Sequence, residues 1–492
     1  MRTAKAVVHL LAAVVFLAVT PACHAIPTAS TDRVPPEDWT YDAMMHLAAQ
    51  GLVPGVPAER FMGDWLYNRE QMAGFVSQAV AAAPSGLGEQ DRAILARLAA
   101  EFAPEMQAIG AGSALTAADP FASRHALAPA GSFEPRIARF GGDTHLNGIY
   151  HASALGMSGR YLTAAITLSD RRRKFDGDRF SRLEKLFLRG KTPNWEWEIG
   201  RDWLWWGPGY SGSLILSDNS PAFDLLKLGK DFYFGRHIGN VKITQFVSTF
   251  RDGGERFYLL GRRWEKRFSN KLHLGINETA KTSKIPNPLA FVLPSLYLYQ
   301  HIFLEDVDRE WNAFLSFDLF YRFSRRFESY LDALVDDMNA PSFLRHGASY
   351  HRPRKIGVLI GGHWPDLLHD GTTGLRVELI LTDRGTYEAS RTDVPGLAYT
   401  HDGLVIGHPV GPNSEAIFLR LDRRIGSEWA AVVEYLGRRA HKADGPNPES
   451  THRLSLLAVR DLSPRLSLTA RFESLKLPEK KNRVQIGASY GF

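Results

Sequence analysis

The chain of 492 residues has a single cysteine, Cys23, and only one long hydrophobic run. Without a cysteine pair it cannot be a disulfide scaffold, and a cysteine-rich zinc site is excluded as well. Because this one run, at the N-terminus, is the only one that approaches the length of a membrane helix, a protein with several membrane helices is excluded. A membrane β-barrel is not excluded, since its alternating strands average to the hydropathy of a soluble protein, and the mean hydropathy here is −0.21.

A strong excess of charge of either sign is also missing. The chain has 59 basic and 53 acidic residues, which gives a net charge of +6. This excess is compatible with acidic polymers but is too small for the chain length to indicate nucleic acid, so no nucleic-acid partner is predicted. With 44% hydrophobic and 23% charged residues, the composition is that of a folded chain.

Residues 1–25 have the features of a secretory signal peptide. A basic start precedes the apolar core Ala6–Val19, and small residues lead up to Ala25. We therefore predict export with cleavage near Ala25. A lipoprotein anchored through Cys23 is the less favoured alternative, because residues 20–23 lack the aliphatic residue expected of a lipobox.

Residues 26–107 have the periodicity of helices. Apolar residues at helical spacing predict a helix that ends near Gly51, a second that begins near Asn68, and a third from Glu89 to Met106. Residues 108–132 are rich in alanine, glycine, serine and proline and predict a linker.

Residues 34–81 resemble a single S-layer homology repeat. The residues that match the repeat are Trp39, Tyr41, Leu47, Gly51, Gly55, Phe61, Arg69 and Glu70, with Asn68 in place of the usual threonine. The resemblance implies a periplasmic domain that binds peptidoglycan or its attached polymers through Arg69 and Glu70. The alternative is a plain helical bundle that packs beneath the rest of the protein.

From residue 133 to the C-terminus the period of the sequence changes to two. In the last strand, Val484 and Ile486 lie on one face, and Arg483 and Gln485 lie on the other. An apolar face with aromatic residues near the strand ends is typical of a membrane barrel, and the terminal Phe492 resembles the insertion signal of outer-membrane barrels. A soluble sandwich also alternates, but an exported chain with this ending favours the membrane.

The barrel region, residues 133–492, holds 360 residues. At about 20 residues per strand and turn, it predicts about 18 strands. We therefore predict a mostly β fold, in which a large antiparallel transmembrane barrel follows a small helical periplasmic domain. A barrel of this size leaves a lumen wide enough for water unless something fills it.

The stretch Arg201–Gly229 breaks the alternation. Three tryptophans and a tyrosine crowd around Gly207-Pro208-Gly209, and a run of serine, aspartate and asparagine follows. This stretch resembles the tryptophan- and glycine-rich signature of the Wzi capsule-assembly family. Three further segments resemble the family in the same order: Glu328–Met338, Gly374–Glu388 and Tyr399–Leu421.

The resemblance implies an 18-stranded outer-membrane barrel that attaches or organises capsular polysaccharide or exopolysaccharide at the cell surface, without catalysis. The partners it implies are that polysaccharide and the lipid of the outer membrane. Sugar rings present apolar faces to aromatic side chains, and their hydroxyls bond to polar groups. The candidate polysaccharide-binding residues are Trp206, Tyr210, Asp218, Asn219 and Arg201. Trp203 and Trp205 are interpreted as packing residues instead.

Two other functions stay open at this point. A porin for sugars or small solutes is favoured by the wide lumen, and lumen occupancy distinguishes it from a binding protein, because a plugged barrel cannot be a porin. A barrel-borne hydrolase has weaker support, since Gly209–Ser213 lacks the last glycine of a nucleophile elbow.

No catalytic residue, metal site or cofactor is predicted. The pairs His363 with His369 and His401 with His408 lack a zinc-site spacing and are interpreted as isolated loop histidines. Asp336-Asp337 is interpreted as a solvated turn, with calcium binding or acid–base chemistry as the alternatives.

Overall fold

The computed structural model describes most of the chain. The described residues are 39–49, 52–53, 69–108, 126–140, 143–158, 160–169, 183–191, 195–268, 272–286, 295–297, 311–324, 327–337, 355–364, 367–368, 373–389, 396–425, 429–441, 449–463, 466–476 and 480–491. The predicted signal peptide, Cys23 and Phe492 lie outside these residues.

Four helices form the N-terminal domain within the described residues. They are α1 (Trp39–Ala49), α2 (Arg69–Ala82), α3 (Glu89–Glu101) and α4 (Ala103–Ala108). They share one apolar core in which Leu47, Val76, Leu98 and Phe102 are fully buried. No helix in the described ranges is both long and apolar enough to cross a membrane.

The three predicted helices are present, but the third is divided in two. The helix is interrupted at Phe102, which separates α3 from α4. Pro104 explains the break, because it has no N–H to donate to a carbonyl four residues earlier and its ring clashes with that carbonyl. The prediction of one continuous helix from Glu89 to Met106 was therefore wrong.

In the described residues after α4, the chain forms twenty strands and one short helix. They are β1 (Ala126–Phe140), β2 (Asp143–Ser158), β3 (Arg160–Ser169), β4 (Leu183–Lys191), β5 (Trp195–Asp202), β6 (Phe223–Tyr233), α5 (Gly235–Ile238), β7 (Asn240–Asp252), β8 (Glu255–Arg267), β9 (Leu272–Thr282), β10 (Trp311–Ser324), β11 (Phe327–Asp337), β12 (Lys355–Trp364), β13 (Thr373–Thr382), β14 (Thr400–His401), β15 (Leu404–Val405), β16 (Ser414–Ile425), β17 (Trp429–Ala440), β18 (Glu449–Ser463), β19 (Leu466–Lys476) and β20 (Lys480–Gly491).

Eighteen of the described strands form one sheet, and β14 and β15 form a separate small hairpin. Each of the eighteen pairs in antiparallel fashion with its neighbours along the chain, and β1 also pairs with β20, with Phe133 opposite Tyr490. The last pairing closes the sheet into a barrel. The predicted transmembrane barrel of about 18 strands is confirmed.

The first strand begins earlier than the sequence indicates. β1 starts at Ala126, inside the predicted linker 108–132. Pro129 lies where β1 pairs with β2 but not with β20, and Pro135 lies in a gap of the β20 ladder. Proline is tolerated where no neighbouring strand needs its missing N–H, so the prolines that suggest a linker are compatible with a strand.

The outer face of the barrel is apolar. Val484 is 47% and Ile486 is 61% exposed, whereas Gln485 on the inner face is 7% exposed, as the alternation predicts. Exposed aliphatic side chains continue this belt on other strands: Leu186, Ile199, Leu226, Leu228, Ile360, Leu379, Leu381, Leu421 and Leu456. Such a belt is stable only against lipid, because water would leave a large apolar surface exposed.

The two ends of the barrel differ. At the long-loop end, the connections include residues 203–222, 283–310, 338–354 and 383–413. At the short-turn end, the longest connection is 365–372. Exposed aromatic residues form a girdle near the short-turn end: Trp195, Phe232, Phe234, Phe268, Phe323 and Trp429.

One segment covers the outer wall. Ser295 and Leu296 bond to Glu278, which lies on the outward side of β9; the Leu296 N–H donates at 2.9 Å. Leu296 and Tyr297 pack against Trp311 and Ala313, which are therefore buried although they face outward. Residues 295–297, between β9 and β10, thus cover part of the lipid-facing wall.

Candidate functional site in the barrel lumen

Two connections of the long-loop end fold back into the barrel. They are residues 203–222, between β5 and β6, and residues 383–413, between β13 and β16, described except for 390–395. We call them together the plug. Its apolar side chains share one core with inward-facing wall residues. Plug members of the core are Leu204, Trp206, Leu214, Ile215, Leu216, Tyr387, Leu397, Tyr399, Ile406 and Val410, and wall members include Phe246, Phe314, Leu359 and Phe418.

Hydrogen bonds from backbone and side-chain donors join the two plug segments to each other. The Ser217 N–H donates to the Ile406 carbonyl at 3.1 Å. The side-chain amide of Asn219 donates to the Val405 carbonyl at 2.8 Å. The Tyr387 hydroxyl donates to the Leu214 carbonyl at 2.7 Å, and burial raises the pKa of this hydroxyl well above its usual value. The plug is therefore one folded unit.

Acidic residues of the wall accept N–H groups of the plug. Glu378 accepts from the backbone of Tyr210 at 2.5 Å and of Ser211 at 2.9 Å. Asp332 accepts the Leu214 N–H at 2.9 Å. Buried N–H groups are costly without an acceptor, so these carboxylates fix the position of the first plug segment against the wall.

A third wall carboxylate holds the second plug segment. Asp336 is 1% exposed and accepts the Tyr387 N–H at 2.9 Å. The interpretation of Asp336-Asp337 as a solvated turn was wrong for Asp336, because β11 carries it on the inner face of the wall. Alternation along the strand is the signal from which this burial could have been predicted.

Donors of the wall complete the attachment. The Lys281 ammonium donates to the carbonyls of Ala398 at 2.8 Å and Thr400 at 2.7 Å. The Asn312 amide donates to the Leu397 carbonyl at 3.1 Å. The wall therefore supplies acceptors to plug N–H groups and donors to plug carbonyls, which satisfies irregular backbone inside a barrel.

Glycines allow the plug segments to approach closely. A Cβ at Gly407 would lie 2.2 Å from the Leu214 carbonyl oxygen, and one at Gly212 would lie 2.6 Å from ring carbons of His408 and Pro409. No side chain fits at either position without displacing the other segment. The glycine-rich composition of this stretch is therefore a packing requirement.

Ser211 and His408 come together, but their hydrogen bonds do not form a nucleophile–base pair. The Ser211 hydroxyl donates to Glu378, and it lies 3.3 Å from His408 Nε2. His408 Nδ1 accepts the Val410 N–H at 3.2 Å, so the ring proton resides on Nε2. His408 is then a donor toward Ser211 and cannot remove its proton, unlike the base of a hydrolase triad.

Two of the predicted sugar-binding residues lie within the plug packing. Trp206 is 2% exposed and packs edge-on against Phe246, with ring centroids 5.1 Å apart. The Tyr210 ring lies 4.7 Å from the Arg376 guanidinium and 5.2 Å from that of Arg420. Burial raises the pKa of Tyr210, so its hydroxyl stays neutral. Direct sugar contact by these two residues stays a prediction.

The other three predicted residues lie apart. Arg201 is on the outer face of β5 and makes a bidentate pair with Asp224, at 2.7 and 2.9 Å. Asn219 is buried in the plug, and Asp218 beside it is half-buried. The structure therefore does not bring the five residues together in one cleft.

Trp203 and Trp205 are half-buried, although the sequence interpretation gave both a packing role. The Lys185 ammonium lies 5.4 Å from the centre of the Trp203 ring. The indole N–H of Trp205 is buried and meets no acceptor among the described residues. Because β5 ends at Asp202, strand alternation does not predict which of these tryptophans keeps an accessible face.

The histidines have structural partners. His363 lies on β12, not in a loop, and its Nδ1 is 3.1 Å from Glu328, while His369 is outside the described residues. The His401 ring lies tilted against Phe250, with ring centroids 4.5 Å apart, and burial lowers its pKa to about 4. In the described part of the chain, no group of three or more His, Cys, Asp or Glu side chains is arranged to hold a metal ion.

A comparison with curated protein sequences finds no match. Among solved structures, the chain is similar to Wzi of Escherichia coli, an outer-membrane protein involved in group 1 capsule assembly that is described as a carbohydrate-binding β-barrel. The identity is 14% and the TM-score 0.56, over 94% of this chain and 99% of that chain.

Two further similar structures are of Pseudomonas aeruginosa proteins. OccD3 has 9% identity and a TM-score of 0.44, over 76% of this chain and 92% of that one. OccK3 has 10% identity and a TM-score of 0.45, over 75% and 95%. The sequence model of the capsule assembly protein Wzi matches residues 131–487, which include the whole plug and nearly all of the barrel. The chain therefore belongs to the Wzi family of capsule assembly proteins.

Proposed function

We propose that this protein lies in the outer membrane and binds capsular polysaccharide or exopolysaccharide at the cell surface through the long-loop end of its barrel. The plug is the observation that carries the proposal. Wall side chains fix it in the lumen, so the long-loop end presents a folded surface rather than a channel mouth. Membership of the Wzi family, and the description of the Escherichia coli protein as carbohydrate-binding, support the same function.

The proposed mode of action is binding rather than catalysis. The hydrogen bonds around Ser211 support this, because His408 donates to the serine instead of accepting from it. Trp203, Trp205 and Asp218 are the proposed sugar contacts, since each is only half-buried. Trp206, Tyr210 and Asn219 also hold the plug in place, and direct sugar contact by Trp206 and Tyr210 stays a prediction.

We expect Trp203→Ala together with Trp205→Ala to weaken binding of a uronate-bearing capsular polysaccharide about tenfold. Each ring contact contributes roughly 0.5–1.5 kcal/mol, and 1.4 kcal/mol is tenfold in affinity. The measurement is biolayer interferometry on the full-length protein in detergent, with neutral dextran as a second probe. Trp429→Ala is the matched control, since Trp429 is 45% exposed on the outer wall. Equal loss in the control, or no loss in the double variant, would contradict the assignment.

The proposed topology places the short-turn end and the helical domain in the periplasm. Outer-membrane barrels have short periplasmic turns and longer external loops. The chain enters β1 at Ala126, opposite Met157 near the end of β2, which is the short-turn end. Helix α1 lies beside β1, β2 and β20.

The helical domain is further proposed to bind peptidoglycan. Residues 26–108, expressed alone, are expected to sediment with purified sacculi, because Arg69 at the start of α2 can pair with an anionic polymer near free helix N–H groups. This fragment is chosen because α1–α4 share one core. Arg69→Ala should lose binding and keep the helical circular-dichroism signal.

Leu47→Ala provides the contrasting variant for the sacculus experiment. Leu47 is fully buried, so its truncation is expected to destabilise the domain by about 2–5 kcal/mol and to reduce both binding and helicity. A folded wild-type fragment that stays in the supernatant would leave the domain only a packing role beneath the barrel.

A further inference from the structure

We propose that Arg251 and Arg256 form a phosphate-binding site for the phosphorylated glycolipid of the outer leaflet, on the outer rim of the barrel. The site is separate from the plug, and it rests on the proposed orientation, in which the long-loop end faces outward. Its chemistry is that of two guanidinium groups presented side by side to a membrane-embedded dianion.

The register places the two arginines directly opposite each other. Arg251 on β7 pairs with Arg256 on β8, and both are exposed. Phe250 and Phe257, the neighbouring pair, are buried on the inner face, so alternation places both arginines on the outer face. Like charges directly opposite each other across a sheet are destabilising. An anion that bridges them removes this cost.

The turn between β7 and β8 fixes the arginines in place. It consists of Gly253 and Gly254, with φ values of 59° and 90°. Positive φ at both central residues is the condition for a type I′ turn, one of the two turns that close tight two-residue hairpins, and glycine meets it without strain. The arginines therefore lie on a short, regular hairpin at the long-loop end.

Side chains farther along β8 indicate the depth of the site. Tyr258, the next outward residue below Arg256, is half-buried, and Leu260, the outward residue after it, is buried in the cluster that contains Leu296 and Tyr297. Tyr258 and Trp264 are both outward-facing aromatic residues of β8, and the six residues between their positions span about 20 Å along a strand. Aromatic residues mark the membrane interfaces of barrels. Arg256 therefore lies immediately outside the interface, at the level of lipid headgroup phosphates.

Neighbouring charges leave the two guanidinium groups available. Within the described part of the chain, neither has an ion-pair or hydrogen-bond partner. The nearby acidic side chains have other ion-pair partners: Asp252 lies 3.2 Å from the Lys281 ammonium, and Asp224 is paired with Arg201. Glu255, opposite Asp252 in the register, lies on the inward-facing side of the hairpin. Phosphate is the favoured ligand because guanidinium groups bind it in bidentate fashion.

The test uses the full-length protein in a non-ionic detergent and native mass spectrometry. The probes are bisphosphorylated lipid A and the same lipid after removal of both phosphates. We expect Arg251→Ala with Arg256→Ala to bind bisphosphorylated lipid A at least tenfold less than the wild type. Arg251→Lys with Arg256→Lys should retain most of the binding. Migration of the unboiled protein in SDS gels checks that each variant is a folded barrel.

The matched control is Lys230→Ala with Lys266→Ala, which removes the same charge from the outer wall near the short-turn end. Both lysines lie over aromatic rings there, Lys230 at 4.6 Å from Trp195 and Lys266 at 5.4 Å from Phe268. The control should bind lipid A like the wild type. Equal binding by the arginine variant, an equal loss in the control, or equal binding of the dephosphorylated lipid would overturn the proposal.

Polysaccharide binding distinguishes this proposal from the proposed function. The arginine variant should bind the uronate-bearing polysaccharide like the wild type, and the Trp203 and Trp205 variant should bind lipid A like the wild type. If the arginine variant loses polysaccharide and keeps lipid A, the rim belongs to the polysaccharide site and the lipid proposal fails. If polysaccharide binding is absent from the wild type while lipid A binding follows the expected pattern, only the proposed function fails.

Discussion

In planar lipid bilayers the intact protein is expected to insert without stable conductance, whereas a chain lacking the tip of the plug is expected to conduct. The change replaces residues 397–409 with a short glycine-serine link. It removes four residues of the lumen core: Leu397, Tyr399, Val405 and Ile406. Val410, at the boundary of the replaced segment, loses these neighbours. An 18-stranded barrel without a plug encloses an aqueous channel.

The loss of attachment should enlarge the opening. Lys281 and Asn312 lose the plug carbonyls that they bond in the intact protein, and both then face the lumen as hydratable side chains. The control replaces the connection 442–448, between β17 and β18, with the same link. Stable conductance of the unaltered protein would support the porin alternative and contradict the proposed function. A shortened chain that folds but does not conduct would show that the first plug segment alone closes the lumen.

Glu378→Ala is expected to detach the first plug segment from the wall. Glu378 accepts hydrogen bonds from the Tyr210 and Ser211 backbones, the Ser211 hydroxyl and the Tyr330 hydroxyl. Removal of one partner from such a buried charged network typically costs about 3–5 kcal/mol, because the remaining groups stay buried and unpaired. The barrel ladders are unaffected, so the loss should fall on the plug.

The measurement is maleimide labelling of a cysteine placed at Ile215, a fully buried plug residue, in a chain without Cys23. A loss of about 3–5 kcal/mol corresponds to an increase in the labelling rate of at least a hundredfold if labelling follows plug opening. Glu388→Ala is the matched control, since it removes the same charge from an exposed plug side chain. Similar rates in both variants would mean that Glu378 does not hold the plug.

The sequence determined the barrel itself, for a physical reason that applies to each strand separately. Side chains of a strand alternate between its two faces, so a lipid-facing wall requires a period of two, and Val484, Gln485 and Ile486 have it. Closure then follows from strand number and antiparallel order. The helices of the N-terminal domain were predictable because their apolar residues recur at helical spacing, apart from the break that Pro104 causes near Phe102.

The sequence pattern indicated the plug only in part. The departure of Arg201–Gly229 from alternation indicated a segment that is not lipid-facing strand, and its glycines indicated close approach. Local pattern could not predict which wall residue each plug group meets. Glu378 is 168 residues from Tyr210, and Asp332 is 118 residues from Leu214. Such contacts depend on how the whole barrel closes.

Tertiary structure alone decided which aromatic and charged residues remain accessible. Trp203, Trp205 and Trp206 are almost adjacent in sequence, yet only Trp206 is buried against Phe246, because β5 ends at Asp202 and the chain turns into the lumen. Arg201, one residue before that end, keeps the outward direction of the strand and pairs with Asp224. Sequence determines the alternation of a strand, but the point at which the chain leaves the wall is determined by packing between segments that lie far apart along the chain.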